Sequence, residues 1–304
     1  MYKICAVIVT YNRKELLVRN LNSLLLQDYP LDVLIYDNAS TDGTENVVYE
    51  YKNKVSEGAS IIYIKGEANI GGSGGFHYGE KEAVKRGYDY IWLMDDDGYC
   101  LRKDTLNMLV KNIKGEKDIV NSYVTCNPEN LEPTFGFVGC NSREQIERKS
   151  TNGVYLGEGN PYNGTLVPRK CFEELGYTDK RFFIYGDEYE FILRTQRSGY
   201  VWKTVVDSLY YHPINRQLSR SISIMGKSIV LKEQPVWKHY LEIRNDLYIK
   251  KIYFNKKFSI KTILVVALTS ILAKDKKLKR LYYGLLAVMD AYGDIFDRPI
   301  MFNV

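Results

Sequence analysis

A short apolar segment that ends in three consecutive aspartates constrains this chain most. The segment Tyr90 to Met94 is long enough for one buried strand, and Asp95, Asp96 and Asp97 follow it directly. Three adjacent carboxylates repel one another unless a cation lies among them, and oxygen ligands suit Mg²⁺ or Mn²⁺. Because side chains alternate along an extended backbone, Asp95 and Asp97 project to one side and Asp96 to the other. The segment predicts a strand with a divalent-cation site at its carboxyl end; the alternative is a solvated acidic turn.

Length and composition indicate a globular protein with one large domain and a smaller one. The chain has 304 residues, 45% of them hydrophobic, and a net charge of +5, with many of its basic residues in the C-terminal third. This uneven distribution of basic residues favours binding to an anionic surface. No nucleic-acid partner is expected. The five cysteines show no CxxC pairing, so we expect reduced thiols in the cytosol. The chain starts on a strand-like segment, so no secretory signal is expected.

Three more apolar segments precede the aspartates, and each is followed by a polar loop and a helical pattern. The four predicted strands are 4–9, 33–36, 61–64 and 90–94, and the polar stretches that follow them are 10–13, 37–42, 69–75 and 95–97. Parallel strands of an open α/β sheet bring their carboxyl ends to one edge, and ligands bind in the crevice there. The pattern predicts a nucleotide site at that edge.

Two local signals refine this prediction. Asn12 and Glu15 form a capping-box pattern at the start of the first helix. The glycine-rich stretch 69–76 opens a helix after a strand, so its amides could contact a phosphate or a sugar hydroxyl; the alternative is a turn that packs a helix close to the sheet. It does not fit the dinucleotide pattern G-x-G-x-x-G, which requires glycine where His77 stands. A Rossmann dehydrogenase is therefore a poor fit.

Four motifs together resemble the family-two glycosyltransferases. They read V-x-V-T-Y-N-R, D-N-A-S-x-D-G-T, N-x-G-G-S-G-G-F and M-D-D-D, at 7–13, 37–44, 69–76 and 94–97. The last two are similar to those of the bacterial galactofuranosyltransferases and, less closely, the rhamnosyltransferases of polysaccharide assembly. The resemblance implies an α/β protein with the GT-A fold, a mostly parallel nucleotide-binding sheet flanked by helices, and a C-terminal helical appendage. It also implies a nucleoside diphosphate sugar donor.

The resemblance implies roles for individual side chains. It implies that the nucleotide base of the donor lies near Thr10, Tyr11, Asn12 and Arg13, and that the uracil or ribose lies near Asp37. Further donor contacts are expected from Asn69, Gly72, Ser73, Gly74, Asp95 and Asp96. The expected ligands of an Mn²⁺ or Mg²⁺ ion are Asp95, Asp97 and His212. Without the resemblance, a lone histidine such as His212 is equally a structural residue.

The catalytic base is expected at the start of a helix that begins near Asp187. Sugar transfer to an alcohol needs a carboxylate that takes the hydroxyl proton. The resembled family places an acidic pair here, with the second acid as base, which favours Glu188 with Asp187 as the second candidate. The alternative is electrostatic, because acids at a helix start stabilise the positive end of the helix dipole.

The sequence predicts a catalytic domain over 1–215 and a region of loop and helix over 216–304. Within the latter, 215–236 is expected to be a mobile loop that brings Arg216 or Arg220 to the diphosphate. The helical segment 237–253 contains a stretch, 240–245, that also resembles the polysaccharide transferases. The apolar segment 258–273 is too short to span a bilayer, and lysines flank it. It predicts either a helix that lies on an anionic membrane or one that packs on the catalytic domain.

We therefore interpret the chain as an inverting, metal-dependent glycosyltransferase of cell-surface polysaccharide synthesis. The expected donor is UDP-galactofuranose and the expected acceptor a glycan or a polyprenyl-linked glycan, which places the enzyme at the inner side of the cell membrane. A homo-oligomer is compatible with the sequence. Two alternatives stay open: a rhamnosyltransferase that uses dTDP-rhamnose, and a non-catalytic nucleotide-binding scaffold subunit.

Overall fold

A computed structural model describes residues 1–55, 59–214, 219–224 and 227–298. The chain divides into two compact units. The first contains Met1–Lys180 and Phe191–Ile214, and the second contains Arg181–Glu190 and Asn215–Val304. The division after 214 lies beside the predicted boundary, but the second unit also takes in the ten residues 181–190.

A nine-stranded, mixed sheet forms the centre of the first unit. Strands β1 to β4 are parallel in the order β3-β2-β1-β4, and β8, β6, β9 and β5 continue the sheet, with β7 paired to β9. Strand β8 is antiparallel to β4 and to β6, whereas β6 and β9 are parallel. The strands are β1 Ile4–Thr10, β2 Asp32–Asp37, β3 Ile61–Lys65, β4 Tyr90–Asp95, β5 Tyr99–Cys100, β6 Asp118–Thr125, β7 Val154–Leu156, β8 Asn163–Pro168 and β9 Val201–Tyr211.

Helices cover both faces of this sheet. They are α1 Lys14–Leu25, α2 Thr44–Lys52, α3 Gly71–Lys85, α4 Thr105–Lys111, α5 Arg143–Lys149 and α6 Arg169–Leu175, and α7 Asp187–Arg197 begins in the second unit. Two apolar clusters of buried side chains form the core. One contains Leu17, Leu21 and Trp92, and the other contains Phe76, Leu93 and Val167. Strands β1 and β4 alternate between the two clusters because each is covered on both faces, as their unbroken apolar sequences predict.

The second unit is a β-hairpin with three helices. Strands β10 Ser219–Ile224 and β11 Lys227–Lys232 pair antiparallel, and helices α8 Val236–Phe254, α9 Ile260–Leu272 and α10 Lys277–Gly293 follow. Among the residues that the structure describes, no helix is both long and apolar enough to cross a membrane. A buried cluster of Leu247, Val266, Val288 and Ala291 joins the three helices.

The four predicted strands at the N-terminal end of the chain are confirmed, but two local predictions are wrong. Helix α1 has Arg13 at its N-cap position and no side-chain cap, because Asn12 Oδ1 instead accepts a hydrogen bond from the Thr41 amide (2.8 Å). The segment 215–236 is not simply a loop, because most of its described residues form the β10–β11 hairpin.

Candidate active site

The carboxyl ends of the six parallel strands described in the first unit lie at one edge of its sheet. Thr10 at the end of β1 pairs in register with Asp37 at the end of β2, and Val9 pairs with Asp95 at the end of β4. Strand β8 is antiparallel to both β4 and β6, so β6 runs parallel to β4. Strand β9 is parallel to β6 and therefore also to β4. The residue after β9, His212, therefore reaches the same edge as Asp95.

Asp95, Asp97 and His212 form a cluster that fits a divalent cation. One potential ligand atom from each lies within 4.8 Å of the others. His212 Nε2 is 3.1 Å from Asp97 Oδ1 and 3.9 Å from Asp95 Oδ2. Asp97 Oδ1 is buried and, apart from His212 Nε2, has no hydrogen-bond partner among the described residues, as expected for an atom that a metal would satisfy. Two carboxylates and one imidazole match the donor preferences of Mn²⁺ better than those of Mg²⁺.

Asp96 points away from this cluster and is held by β1 and the loop that follows it. Thr10 Oγ1 donates to Asp96 Oδ2 (2.8 Å), and Arg13 Nη1 lies 3.2 Å from Asp96 Oδ1 and 3.3 Å from Asp97 Oδ2. Burial raises the pKa of Asp96 to about 6, although Arg13 and Thr10 both favour its charged form. Burial also acts to raise the pKa of Asp97, but His212 and Arg13 outweigh it and the pKa lies below its ordinary value.

Two residues of helix α1 that the sequence analysis did not single out fix the backbone of the aspartates. Asn20 Nδ2 donates to the carbonyl oxygen of Asp95 (2.9 Å), and Arg19 Nη2 donates to that of Asp97 (3.1 Å). The Arg19 guanidinium also lies over the Tyr99 ring, 4.5 Å from its centroid. Asn20 is fully buried within an otherwise apolar helix face, which is the signal that could have identified it.

Asp37 is buried, and both oxygens of its carboxylate accept hydrogen bonds from other residues of the protein. Its Oδ1 accepts from the Ser40 amide (2.8 Å) and its Oδ2 accepts from the Tyr63 hydroxyl (2.5 Å). Ser40 Oγ in turn accepts from the Asn12 amide (2.8 Å). These bonds tie the loops after β1 and β2 together, and the half-buried Tyr11 lies in the same segment. A donor contact by Asp37 stays a prediction.

The glycine-rich stretch is mostly helical and begins α3 at Gly71. Asn69 Oδ1 accepts from the Gly71 amide (2.9 Å), so Asn69 fixes the entry into the helix. Gly72 has open space where a Cβ would lie, with no described atom within 4 Å. Ser73 is fully buried and its Oγ has no hydrogen-bond partner in the described part of the chain, whereas Gly74 packs against its own helix at Ile70. Donor contacts by Gly72, Ser73 and Gly74 stay predictions.

The remaining predicted residues belong to the second unit. Asp187 is buried and Glu188 is exposed in the first turn of α7. Arg220 lies on β10 and donates to the carbonyl oxygen of Leu272 (2.7 Å), and Arg216 lies outside the described residues. The structure brings Asp95, Asp97 and His212 together; the catalytic roles of Asp187 and Glu188 stay predictions.

Known proteins resemble this chain in sequence and in fold. The profile of the family Glycosyl transferase family 2 matches residues 5–156. Galactofuranosyltransferase GlfT1 of Mycolicibacterium smegmatis is 31% identical over 219 residues, which cover 69% of this chain and 70% of that protein. The dTDP-rhamnosyl transferase RfbF of Shigella flexneri is 24% identical over 295 residues, 94% of each chain.

A solved structure supports the fold assignment. The mannosyltransferase PcManGT from Pyrobaculum calidifontis, in complex with GDP-Man and Mn²⁺, superposes with a TM-score of 0.56 at 14% identity and covers 96% of this chain and 75% of that one. The mostly parallel sheet with its flanking helices is thus the GT-A fold that the motifs predicted. The family match spans the four strand ends that form the sheet edge, so the chain belongs to glycosyl transferase family 2 and is a glycosyltransferase.

Proposed function

We propose that this enzyme is an inverting, metal-dependent galactofuranosyltransferase that acts in cell-surface polysaccharide synthesis. The cluster of Asp95, Asp97 and His212 at the sheet edge carries the proposal. The choice of UDP-galactofuranose is supported by the relative at 31% identity, whose name is that of a galactofuranosyltransferase. The 24% identity with a dTDP-rhamnosyl transferase keeps dTDP-rhamnose as the alternative donor.

The cluster would hold Mn²⁺ through the two carboxylates and the imidazole. When bound, the ion supplies positive charge that stabilises the departing diphosphate. Arg13 holds Asp96 and Asp97 from the opposite side, and Arg19 and Asn20 fix the backbone of the aspartates. These bonds would keep the ligand atoms in place when no donor is present, so that little ordering is required on binding.

The reaction needs one general base. As the acceptor hydroxyl oxygen bonds to the anomeric carbon, the bond from that carbon to the diphosphate oxygen breaks and the hydroxyl proton passes to a carboxylate. We assign this role to Glu188, with Asp187 as the second candidate. Glu188 is exposed, which leaves it accessible to an acceptor, whereas Asp187 is buried. A single displacement with one base inverts the anomeric centre.

Donor turnover tests this proposal. Purified enzyme with Mn²⁺ and a panel of octyl glycosides is offered UDP-galactofuranose, UDP-galactopyranose, UDP-glucose and dTDP-rhamnose in parallel. Transfer from the furanose donor alone, with inverted product by NMR, is the expected result. Transfer from dTDP-rhamnose alone would replace the proposal by the rhamnosyltransferase. UDP binding without turnover of any donor, with or without lipid-linked acceptors, would favour the non-catalytic scaffold.

We further propose that the enzyme works peripherally at the inner side of the cell membrane, on a lipid-linked acceptor. Helix α9 buries only Val266 and Ser270. Five of its other apolar side chains are exposed, from 43% at Leu268 to 73% at Ile260: Ile260, Leu264, Val265, Leu268 and Ile271. Exposed lysines lie before, within and after the helix: Lys256, Lys257, Lys261, Lys274, Lys276, Lys277 and Lys279. An apolar helix surface with flanking cations complements anionic lipid better than it complements another protein surface.

Vesicle binding tests the membrane proposal. The wild type is expected to co-sediment with phosphatidylglycerol vesicles more than with phosphatidylcholine vesicles, and less at high salt. A Leu264→Gln, Leu268→Gln variant should lose binding, because both exposed apolar side chains lie on α9. Tyr49→Gln, which changes an exposed aromatic residue on α2, should not. Lipid-independent dimerisation that the α9 variant abolishes would instead identify the surface as a subunit contact.

A further inference from the structure

The segment that leads into helix α7 has an unusual backbone. Phe183 and Tyr185 have φ values of 67° and 68°, and Gly186 has a φ of 85°, so three of four consecutive residues are left-handed. This conformation is unfavourable for a residue that carries a side chain, and it persists only where surrounding contacts determine it. Asp187 and Glu188 follow immediately, so the backbone at 183–186 sets where their side chains begin.

Asn245 of helix α8 supplies those contacts. Its Nδ2 lies 2.8 Å from the carbonyl oxygen of Tyr185, 2.9 Å from that of Ile184 and 3.1 Å from that of Phe182. Asn245 is 1% exposed, so all three contacts are made by a buried side chain. An aliphatic side chain of this size has no hydrogen-bond donor for these oxygens. Leaving the carbonyl groups unpaired would cost free energy.

Arg244 fixes the orientation of the Asn245 amide. Arg244 Nε donates to Asn245 Oδ1 (2.9 Å), which leaves the Nδ2 group to face the segment 182–185. Its Nη2 donates to the carbonyl oxygen of Arg181 (3.0 Å) and lies 3.3 Å from that of Phe182. Arg244 is 2% exposed and its guanidinium lies 4.6 Å from the centroid of the Phe296 ring. Burying a charged guanidinium costs solvation free energy, and the hydrogen bonds to backbone oxygens help to offset that cost.

We propose that Asn245, oriented by Arg244, is a positioning residue that holds the backbone of 182–186 and so directs Asp187 and Glu188. The inference rests on the proposed function, because the positions of these two acids affect turnover only if one of them is the general base. Asn245 does not touch the reacting atoms in this account. It acts through the left-handed segment, and a small displacement of a base is expected to cost far more in turnover than in donor binding.

The test compares two variants of α8. Asn245→Asp keeps the side-chain size but puts an oxygen against the three carbonyl oxygens. Leu247→Ala, the matched control, destabilises the same helices through the apolar cluster with Val266 and Val288 and does not touch the segment. Each is assayed for transfer from UDP-galactofuranose to octyl glycosides, for thermal stability, and for hydrogen exchange by mass spectrometry.

We expect Asn245→Asp to lower kcat about 100-fold while KM for the donor changes little, and to speed amide exchange at 181–188. Leu247→Ala should lose thermal stability but retain kcat. Equal kcat in the two variants at matched stability, or unchanged exchange at 181–188, would overturn the proposal.

Two further variants separate the possible failures. If Glu188→Gln and Asp187→Asn both retain transfer, the base assignment is wrong; if either abolishes transfer and Asn245→Asp does not, only the positioning role is wrong. Should Asn245→Asp fail to fold, Gly186→Ala disturbs the contact between the same segment and α8. Its Cβ would lie 3.1 Å from Ile249 Cδ1 at a φ of 85°.

Discussion

Helix α3 packs on strand β1 through glycine, and this contact makes a quantitative prediction. A Cβ at Gly75 would lie 2.4 Å from Val9 Cγ1 and 3.3 Å from Asn38 Nδ2, and one at Gly79 would lie 2.6 Å from Val7 Cγ1. Both glycines are buried one helical turn apart, so they allow the helix to approach the strand that carries Thr10. Gly72, near the start of the same helix, has no described atom within 4 Å of its Cβ position.

The two substitutions Gly75→Ala and Gly72→Ala should therefore change stability in opposite directions. Overpacking at Gly75 costs about 1 to 3 kcal/mol, and alanine returns about 0.5 to 1 kcal/mol through its helix propensity. At the midpoints of these ranges, the net loss at Gly75 is about 1 kcal/mol. Gly72→Ala meets no clash and should gain on the order of 0.5 kcal/mol, because it only reduces the entropy of the unfolded chain.

Urea unfolding followed by tryptophan fluorescence measures both free energies of unfolding, and UDP titration in the same samples measures donor binding. If Gly72 lies against the donor, its alanine variant is more stable but binds UDP more weakly. A Gly75→Ala protein as stable as the wild type would refute the packing argument. So would equal destabilisation by the two substitutions, since the structure gives them opposite surroundings.

Two other predictions concern buried groups of the first unit. Burial raises the pKa of Glu80 from its ordinary 4.5 to about 7, even though both its oxygens accept hydrogen bonds from Thr178. The folded protein therefore holds a proton that the unfolded chain releases, so stability should fall by on the order of 3 kcal/mol as pH rises from about 4.5 to above 7. Glu80→Gln should flatten that slope in urea unfolding at several pH values; an unchanged slope would contradict the assignment. Gly98→Ala should unfold at least about 1 kcal/mol more easily in the same assay, because its Cβ would lie 2.4 Å from the buried Tyr210 ring; a neutral effect would show that this ring moves freely.

Local sequence patterns were sufficient to predict the first four strands of the sheet. Strands β1 to β4 are short apolar runs that end in polar loops, and their signals lie within a few residues of each element. The alternation of side chains also separated Asp96 from its two neighbours, and in the structure Asp96 contacts Thr10 and Arg13 instead of His212.

Long-range pairing could not be predicted in the same way. The Asn12 side chain bonds to Thr41 rather than capping its own helix, because the loop after β2 offers it an amide 29 residues away. The β10–β11 hairpin was not predicted, although Ile222 and Ile224 alternate with serines in β10 and residues 229–231 of β11 are apolar. Asn20 and Asn245 each bond to backbone oxygens that are distant in sequence. The position of Asn20 in the apolar face of α1 marks it as unusual, but it does not identify the oxygen to which it donates.

The central claim is that Asp95, Asp97 and His212 hold a divalent cation that the donor diphosphate also binds. Calorimetric titration of UDP with and without Mn²⁺ tests it most directly, in the wild type, in Asp97→Asn and in Asp89→Asn. Asp89 precedes the same strand at its opposite end, where its carboxylate accepts from the Lys3 amide (2.8 Å). Mn²⁺ should tighten UDP binding at least about tenfold in the wild type and in Asp89→Asn, but not in Asp97→Asn. Equal Mn²⁺ dependence in Asp97→Asn and the wild type would contradict the account.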